Sequence, residues 1–519
     1  MKINYERSAL GIELGSTVIK SVLTDESGTV RAKGSYRWES EYKDGRWTYS
    51  VSEVKKGLRA CYADLIKDVQ TKYGETPERF CCIGISAMMH GYIAVDKEEN
   101  LLTPFRTWRN VKQGEASKKL SELFKMNVPE RFTVSHLYQA ILNKEEHVKR
   151  IDKLFTLSSY THYLLTGEYA AGYNDASGMF PLDVKTGKYD ADMAEKFDAI
   201  LEENGINEKT EEIFPKPMKA GELCGELTEK GAKLLDESGR LKAGIKMCPP
   251  EGDAGTGLVS TNTITAGTGN VSAGTSIFAS FVLKKPLREK TSDADEMVTP
   301  NGYPLAMIHC NNCSSEINEW VGMFKELLNK FGVNPADEKL FGTLFDETKK
   351  AEGKAEGIIA YNYTSGEHIT KVKDGKPLIY RNPQGKLTLA DFMRATIYSC
   401  VATLAVGMKG LKGKTEEEIT EVVGHGGFFK TPKISQEVMS CALNTAVSVY
   451  ENAGEGGAYG MALLALYAVC RTEGQPLEEF IKEIFKDRKK STVKATDSEK
   501  EKFERFLTEY EKGLKLFAV

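Results

Sequence analysis

Apolar positions recur with strand periodicity over residues 8–14 and again over 18–23, on either side of Gly15-Ser16-Thr17, which predicts a β-hairpin. Asp25-Glu26-Ser27-Gly28 then turns the chain into a third strand, expected over 29–36. Val54, Leu58, Cys61, Leu65 and Val69 follow at spacings of three and four, so a helix capped by Ser52 presents one apolar stripe to a sheet and stops at Gly74. Residues 80–85 are almost wholly apolar, as suits a short strand buried on both faces. The order is β-β-β-α-β. A dinucleotide-binding fold would alternate strand and helix from its first residue and place its glycines at a helix start; here they sit in a hairpin.

Residues 115–167 read as helices with polar faces, and Gly172 to Asp183 as a turn-rich segment in which Asp175 caps a helix or lines a pocket. A helix is expected over 190–205, and Phe214-Pro215-Lys216-Pro217 as a rigid connection. This region reads as an insertion that builds the substrate side. In the second half, strands are expected over 261–265 and 271–281. Within them Gly274-Thr275-Ser276 repeats the Gly-hydroxyl-hydroxyl pattern of Gly15-Ser16-Thr17. Two such turns suggest two copies of one hairpin unit facing each other across a cleft. An apolar helix over 390–404 could join the halves, and a strand at 421–423 runs into Gly424-His425-Gly426-Gly427. Glu455 to Ala462 opens a helix with small residues, and 477–516 is charged and amphipathic, with Arg488-Lys489-Lys490 on a solvated face.

A length of 519 residues implies two or three domains. A net charge of -4, without a long basic block, argues against a nucleic-acid partner. The start Met1-Lys2-Ile3-Asn4 carries no apolar signal, and the apolar run 461–470 is about half of a bilayer span, so a cytoplasmic protein without a membrane partner is expected. The ten cysteines lack framework spacing and several lie in apolar runs, as reduced thiols do; Cys310 and Cys313 have no second pair at zinc-ligand distance.

The candidate chemistry centres on Pro249 to Gly257, where Asp253 stands among glycines. By itself this stretch reads first as an Asx-turn, in which a short acid satisfies local backbone amides. The Gly15-Ser16-Thr17 turn, with its amides, two hydroxyls and nearby Lys20, could cradle phosphate oxygens, or be an ordinary turn. Glu13, on the strand entering it, could hold a hydrated magnesium ion through water or simply face solvent. His90, Trp108 and Arg109 lie in loop-like segments and could wall a polyhydroxylated ligand or serve packing.

Together these segments resemble the FGGY carbohydrate kinases, and the likeness covers nearly the whole chain. Gly11 to Lys20 resembles the first phosphate motif, Met88-Met89-His90-Gly91 the sugar-contacting motif of xylulose-phosphorylating members, and Gly252-Asp253-Ala254 the motif of the catalytic aspartate. Gly274-Thr275-Ser276 resembles the second phosphate motif, while Gly424-His425-Gly426-Gly427 and Gly457-Ala458-Tyr459-Gly460 are similar to adenosine-binding segments.

The resemblance implies an α/β protein with two ribonuclease H-like domains of the actin, hexokinase and heat-shock ATPase kind around a central cleft, residues 1–260 and 261–519. It implies ATP with Mg2+, Asp253 as general base, and Met89, His90, Trp108 and Arg109 beside Asp253 at the sugar. Gly15, Ser16, Thr17, Lys20, Gly274, Thr275, Ser276, Gly426 and Gly427 would bind nucleotide. The acceptor expected by likeness is a ketopentose, D-xylulose first and L-ribulose next; a sugar-sensing ATPase with weak transfer is the reading from another class, and a homodimer is left open. Departures accompany the likeness. Glu13 replaces the usual Asp, Arg394-Ala395-Thr396-Ile397-Tyr398-Ser399 lacks the usual Glu-Gly, and His425 interrupts a glycine run. Thr107-Trp108-Arg109-Asn110 differs from the Trp-Asn-Asp usual at the sugar.

Overall fold

The hairpin expected at the start of the chain forms the middle of a five-stranded sheet in the computed structural model, which describes residues 3–288, 291, 293–351, 357–383, 387–416, 418–451 and 456–517. Met1, Lys2 and Glu455 lie outside these. Strand Ala9–Leu14 pairs antiparallel with Val18–Thr24 and parallel with Cys82–Ala87. Val30–Arg37 extends the sheet beyond the hairpin, and Glu251–Gly252 ends it beyond Cys82–Ala87. The helix Val51–Tyr73 packs on the sheet through Val54, Leu58, Cys61, Leu65 and Val69, all buried, and Gly74 closes it at φ 70°. Its cap is Ser50, not Ser52: the Ser50 hydroxyl accepts from Glu53 N at 3.2 Å, and Ser-x-x-Glu spacing starts the helix there.

The chain forms two units: Met1–Thr265 with Asp295–Leu305 and Glu455–Asp487, and Ala266–Ala294 with Ala306–Gly454 and Arg488–Val519. This differs from a single cut at 260, because two later segments return to the first unit. One of them holds the helix Gly456–Cys470, which is apolar all round and buried from Gly457 to Tyr467 against strand 9–14 and helix Asp253–Ser260. That packing changes the reading of the central glycines. Residues 253–260 are helical rather than a loop, and 261–265 form no strand; the strands begin at Thr268.

The second unit repeats the arrangement. Thr268–Ala273 pairs antiparallel with Ile277–Val282 and parallel with Glu421–His425, which pairs parallel with Ala446–Tyr450; Pro304–Cys310 lies beyond the hairpin's second strand. Helix Leu389–Leu411 is capped by Thr388, whose hydroxyl accepts from Asp391 N at 3.1 Å. It is long and apolar enough to cross a bilayer, but 78% of its most apolar window is buried in the protein, which makes it a core helix. It lies within the second unit rather than joining the halves.

Three short strands had no clear pattern in the sequence. Lys153–Phe155 pairs with Ile93–Val95, Lys216–Met218 with Ala170–Gly172, and Lys490–Val493 with Ala446–Tyr450. The expected rigid connection at 214–217 therefore ends in an edge strand, a position that tolerates Pro217.

Candidate functional site

Asp253 is the first residue of helix 253–260 and follows directly on the edge strand 251–252. The parallel neighbour of that strand, Cys82–Ala87, leads into Met88-Met89-His90, and Met89 N donates to Asp253 Oδ1 at 3.3 Å. Asp253 and Met89 are thereby brought together. Asp253 is partly exposed. Burial first, then the negative charge of Glu13, push its carboxyl up to about 7, against the opposing pull of the Met89 and Ala254 amides.

Glu13 lies opposite Lys20 in the hairpin register. Its carboxylate accepts from Ala458 N at 3.3 Å and from the Gly457 amide, in the first turn of helix 456–470. Burial raises its pKa, while Lys20 and these amides hold it back. Gly457-Ala458-Tyr459-Gly460 is thus engaged in packing within the first unit: Tyr459 donates to Gly28 O at 3.0 Å, and a Cβ on Gly460 would lie 1.9 Å from Thr256 O.

His90 is buried in the left-handed region at φ 67°, stacked on Phe132 with ring centroids 5.0 Å apart. Its Nδ1 lies 3.2 Å from Gly178 O. A carbonyl only accepts, so Nδ1 carries the proton and Nε2 is left as an acceptor. Burial, then the charge of Arg131, lowers the imidazole to about 3, so it is neutral at physiological pH. Gly91 follows at φ 94°, where a Cβ would meet Arg106 O at 2.7 Å, so the turn after His90 requires glycine.

The first hydroxyl turn is held from behind. Gly15 O accepts from Trp38 Nε1 at 2.7 Å, Ser16 O from the Tyr49 hydroxyl at 2.6 Å and Thr17 O from Trp38 N at 3.1 Å. In a trans peptide the carbonyl and the next N–H point opposite ways, so the Ser16 and Thr17 amides are turned away from these donors. Trp108 Nε1 donates to Ser16 Oγ at 3.3 Å, which brings Trp108 to this turn. Arg109 is not drawn in: its guanidinium lies 3.8 Å over the Trp47 ring and donates to Ser40 Oγ at 3.0 Å.

The second unit holds its turn in the same way. Gly274 O accepts from Ser314 N at 2.9 Å and from its hydroxyl at 2.6 Å, and Thr275 O accepts from Cys313 N at 2.9 Å. Gly426 has φ 100°, and Gly427 faces open space where a Cβ would stand.

Sequence reasoning missed Trp38 and Tyr49, and a buried carboxyl network behind Asp253. Glu251 Oε2 accepts from Asn174 N at 3.1 Å and Asp175 N at 3.2 Å, and Asn174 Oδ1 accepts from Gly255 N at 2.8 Å. Asp175 accepts from Thr156 and Ser158 hydroxyls at 2.6 and 2.5 Å. Burial pushes Glu251 well up and Asp175 up to about 6. A carboxylate directly before Gly252-Asp253 was the signal available. Among the described residues no group of three His, Cys, Asp or Glu side chains could hold a metal. Glu13, with lone pairs left after accepting two amides, fits only a largely hydrated Mg2+.

The fold is that of the two-domain actin and hexokinase class. The chain belongs to the FGGY family of carbohydrate kinases: the N-terminal domain model matches residues 8–239 and the C-terminal domain model residues 269–469. A gluconokinase of Bacillus subtilis (strain 168) is 24% identical over 497 residues, 89% of this chain and 88% of that protein. A xylulose kinase of Staphylococcus xylosus is 26% identical over 186 residues, 34% of this chain and 37% of its own length. The solved structure of a ligand-bound xylulose kinase from Lactobacillus acidophilus superposes with a TM-score of 0.78 at 17% identity, covering 99% of this chain and 98% of that one.

Proposed function

We propose that the protein transfers the γ-phosphate of ATP to a hydroxyl of a ketopentose, D-xylulose first, with Asp253 as general base. The observation that carries this reading is the Asp253 carboxyl, held by the Met89 amide at the start of a helix with a pKa near 7. A base is most effective when its pKa is near the working pH, and such a group contributes roughly 10²- to 10⁴-fold in rate. As the sugar hydroxyl attacks the γ-phosphorus, its proton passes to Asp253; the new P–O bond forms as the bond to the β–γ bridging oxygen breaks and ADP leaves. Met89 and the neutral His90, accepting at Nε2, orient the sugar, with Trp108 beside the first turn. In the first unit Gly15, Ser16, Thr17 and Lys20 are assigned to phosphate binding, and in the second unit Gly274, Thr275, Ser276, Gly426 and Gly427 to nucleotide binding. Glu13 would support Mg2+ through water, and the ion when bound would supply neutralisation of phosphate charge. Arg109 has its partners in Trp47 and Ser40 and takes no part in this reading.

Gluconate is the second reading of the acceptor, favoured by the gluconokinase likeness that spans most of the chain. L-ribulose follows. We place the protein in the cytoplasm, as one copy or a homodimer. The test is a panel of D-xylulose, L-ribulose, D-ribulose, L-xylulose, gluconate and glycerol with ATP and Mg2+, read by mass spectrometry of the phosphorylated product. D-xylulose phosphate as the dominant product is expected. Gluconate phosphate would move the assignment to the second reading, and nucleotide binding without any product would overturn phosphoryl transfer.

A further inference from the structure

Helix 253–260, which carries Asp253 as its first residue, begins without a cap of its own. Its N-cap residue is Gly252, which has no side chain to accept from the first-turn amides. Glycine is needed there, because a Cβ would lie 2.4 Å from Met89 Cγ and 3.0 Å from Asn174 Oδ1. The missing acceptor comes from another element: Asn174 Oδ1 accepts from Gly255 N, the third amide of the helix, at 2.8 Å. The short helical turn 173–177 has the same defect and the reciprocal remedy. Its N-cap is Gly172, again without a side chain, and a Cβ there would lie 2.3 Å from Glu251 Cδ. Glu251 Oε2 supplies the cap, accepting from the second and third amides of that turn, Asn174 N at 3.1 Å and Asp175 N at 3.2 Å. Each segment therefore caps the other. Two further bonds lock the arrangement: Asn174 Nδ2 donates to Val298 O at 2.9 Å, and Gly172 N donates to Pro250 O at 2.6 Å. Glu251 and Asn174 are both buried, and every residue named here belongs to the first unit.

We propose that Glu251 and Asn174 are positioning residues for the base: Glu251 holds Asn174, and Asn174 holds the first turn of helix 253–260 so that Asp253 stays at the Met89 amide. This rests on the reading of Asp253 as general base. Neither residue is assigned to the reacting atoms; both act through the backbone that carries Asp253. Removing either acceptor leaves buried amides unpaired, and the turn then moves or frays to satisfy them. A catalytic group displaced by about 1 Å loses up to roughly 10²-fold in rate, so the effect falls on turnover rather than on binding.

The test compares full-length wild type with Asn174→Ala, Glu251→Ala, Glu251→Gln and Asp253→Asn, all below their melting temperatures. Hydrogen exchange of peptides covering 253–260 is read by mass spectrometry, and kcat and KM are measured with the sugar that wild type phosphorylates. In Asn174→Ala and Glu251→Ala the first turn is expected to exchange about fivefold faster, the factor that one lost cap allows. Their kcat is expected to fall by roughly 10- to 10²-fold, with KM for sugar and ATP within about twofold of wild type. Glu251→Gln keeps an acceptor oxygen for both amides and is expected to recover most of both losses. Wild-type exchange in Asn174→Ala, a lowered Tm with kcat unchanged, or a loss in Glu251→Gln equal to that in Glu251→Ala would overturn the proposal. Wild-type turnover by Asp253→Asn would instead overturn the base assignment, while exchange still decides whether the two caps hold the helix.

Discussion

At the scale of the residue, Asp253 is pulled in two directions. The start of a helix favours a charged carboxylate, as do the amides of Met89 and Ala254, yet burial and the neighbouring Glu13 prevail and leave it near 7. Removing the Glu13 charge removes one of the raising causes. Glu13→Gln is therefore expected to move the acid limb of kcat/KM to lower pH, and a limb that stays in place would separate Glu13 from the base. Stability carries the same sign. The folded carboxyl holds its proton up to about 7 while the unfolded one loses it near 4, so wild type loses stability as pH rises through that window. Asp253→Asn lacks that loss, and its Tm advantage over wild type should grow between pH 4 and pH 7; an advantage independent of pH would contradict the assignment. Asp253 was legible in the sequence as a candidate because a carboxylate flanked by Gly252 and Gly255 stands out. Trp38 and Tyr49 were not, since nothing at residues 38 and 49 announces that they hold the carbonyls of residues 15 to 17.

At the scale of the element, the contact between helices 253–260 and 456–470 explains glycines that read as a loop. An eight-residue helix containing Gly255 and Gly257 has poor intrinsic propensity, and a sequence window favours a turn there. Tertiary packing overrides this preference, because each helix offers the other a surface close enough to exclude a side chain. At Gly460 an added Cβ would sit 1.9 Å from the Thr256 carbonyl oxygen, a backbone atom that cannot swing aside. Gly460→Ala is expected to destabilise by about 1–3 kcal/mol, the usual cost of overpacking, with the helices forced apart. A urea midpoint unchanged from wild type would show that the helices are not held this closely. The long amphipathic helix 51–73 and the opening hairpin were legible for the opposite reason: their periodicity extends over enough residues to be self-announcing, whereas three- and four-residue strands such as 153–155 and 490–493 form only where a partner strand is supplied.

At the scale of the whole molecule, the repeat was visible in two short turns, and the structure extends it to a shared strand order. In each unit a hairpin is flanked by a further strand on one side and by parallel strands on the other. In each, the carbonyls of a Gly-hydroxyl-hydroxyl turn are tied back by donors from elsewhere in that unit. The path of the chain was not legible, because residues 295–305 and 455–487 return to the first unit through contacts that no local pattern encodes. Nor was the acceptor, because one hydroxyl configuration is decided by whether a single hydrogen bond is satisfied. The most direct test of the central claim is turnover of D-xylulose with ATP and Mg2+ by wild type and Asp253→Asn, with sugar binding measured in parallel. The account predicts D-xylulose phosphate from wild type and a kcat lower by roughly 10²- to 10⁴-fold in Asp253→Asn at unchanged sugar affinity. Near wild-type turnover by Asp253→Asn would contradict it.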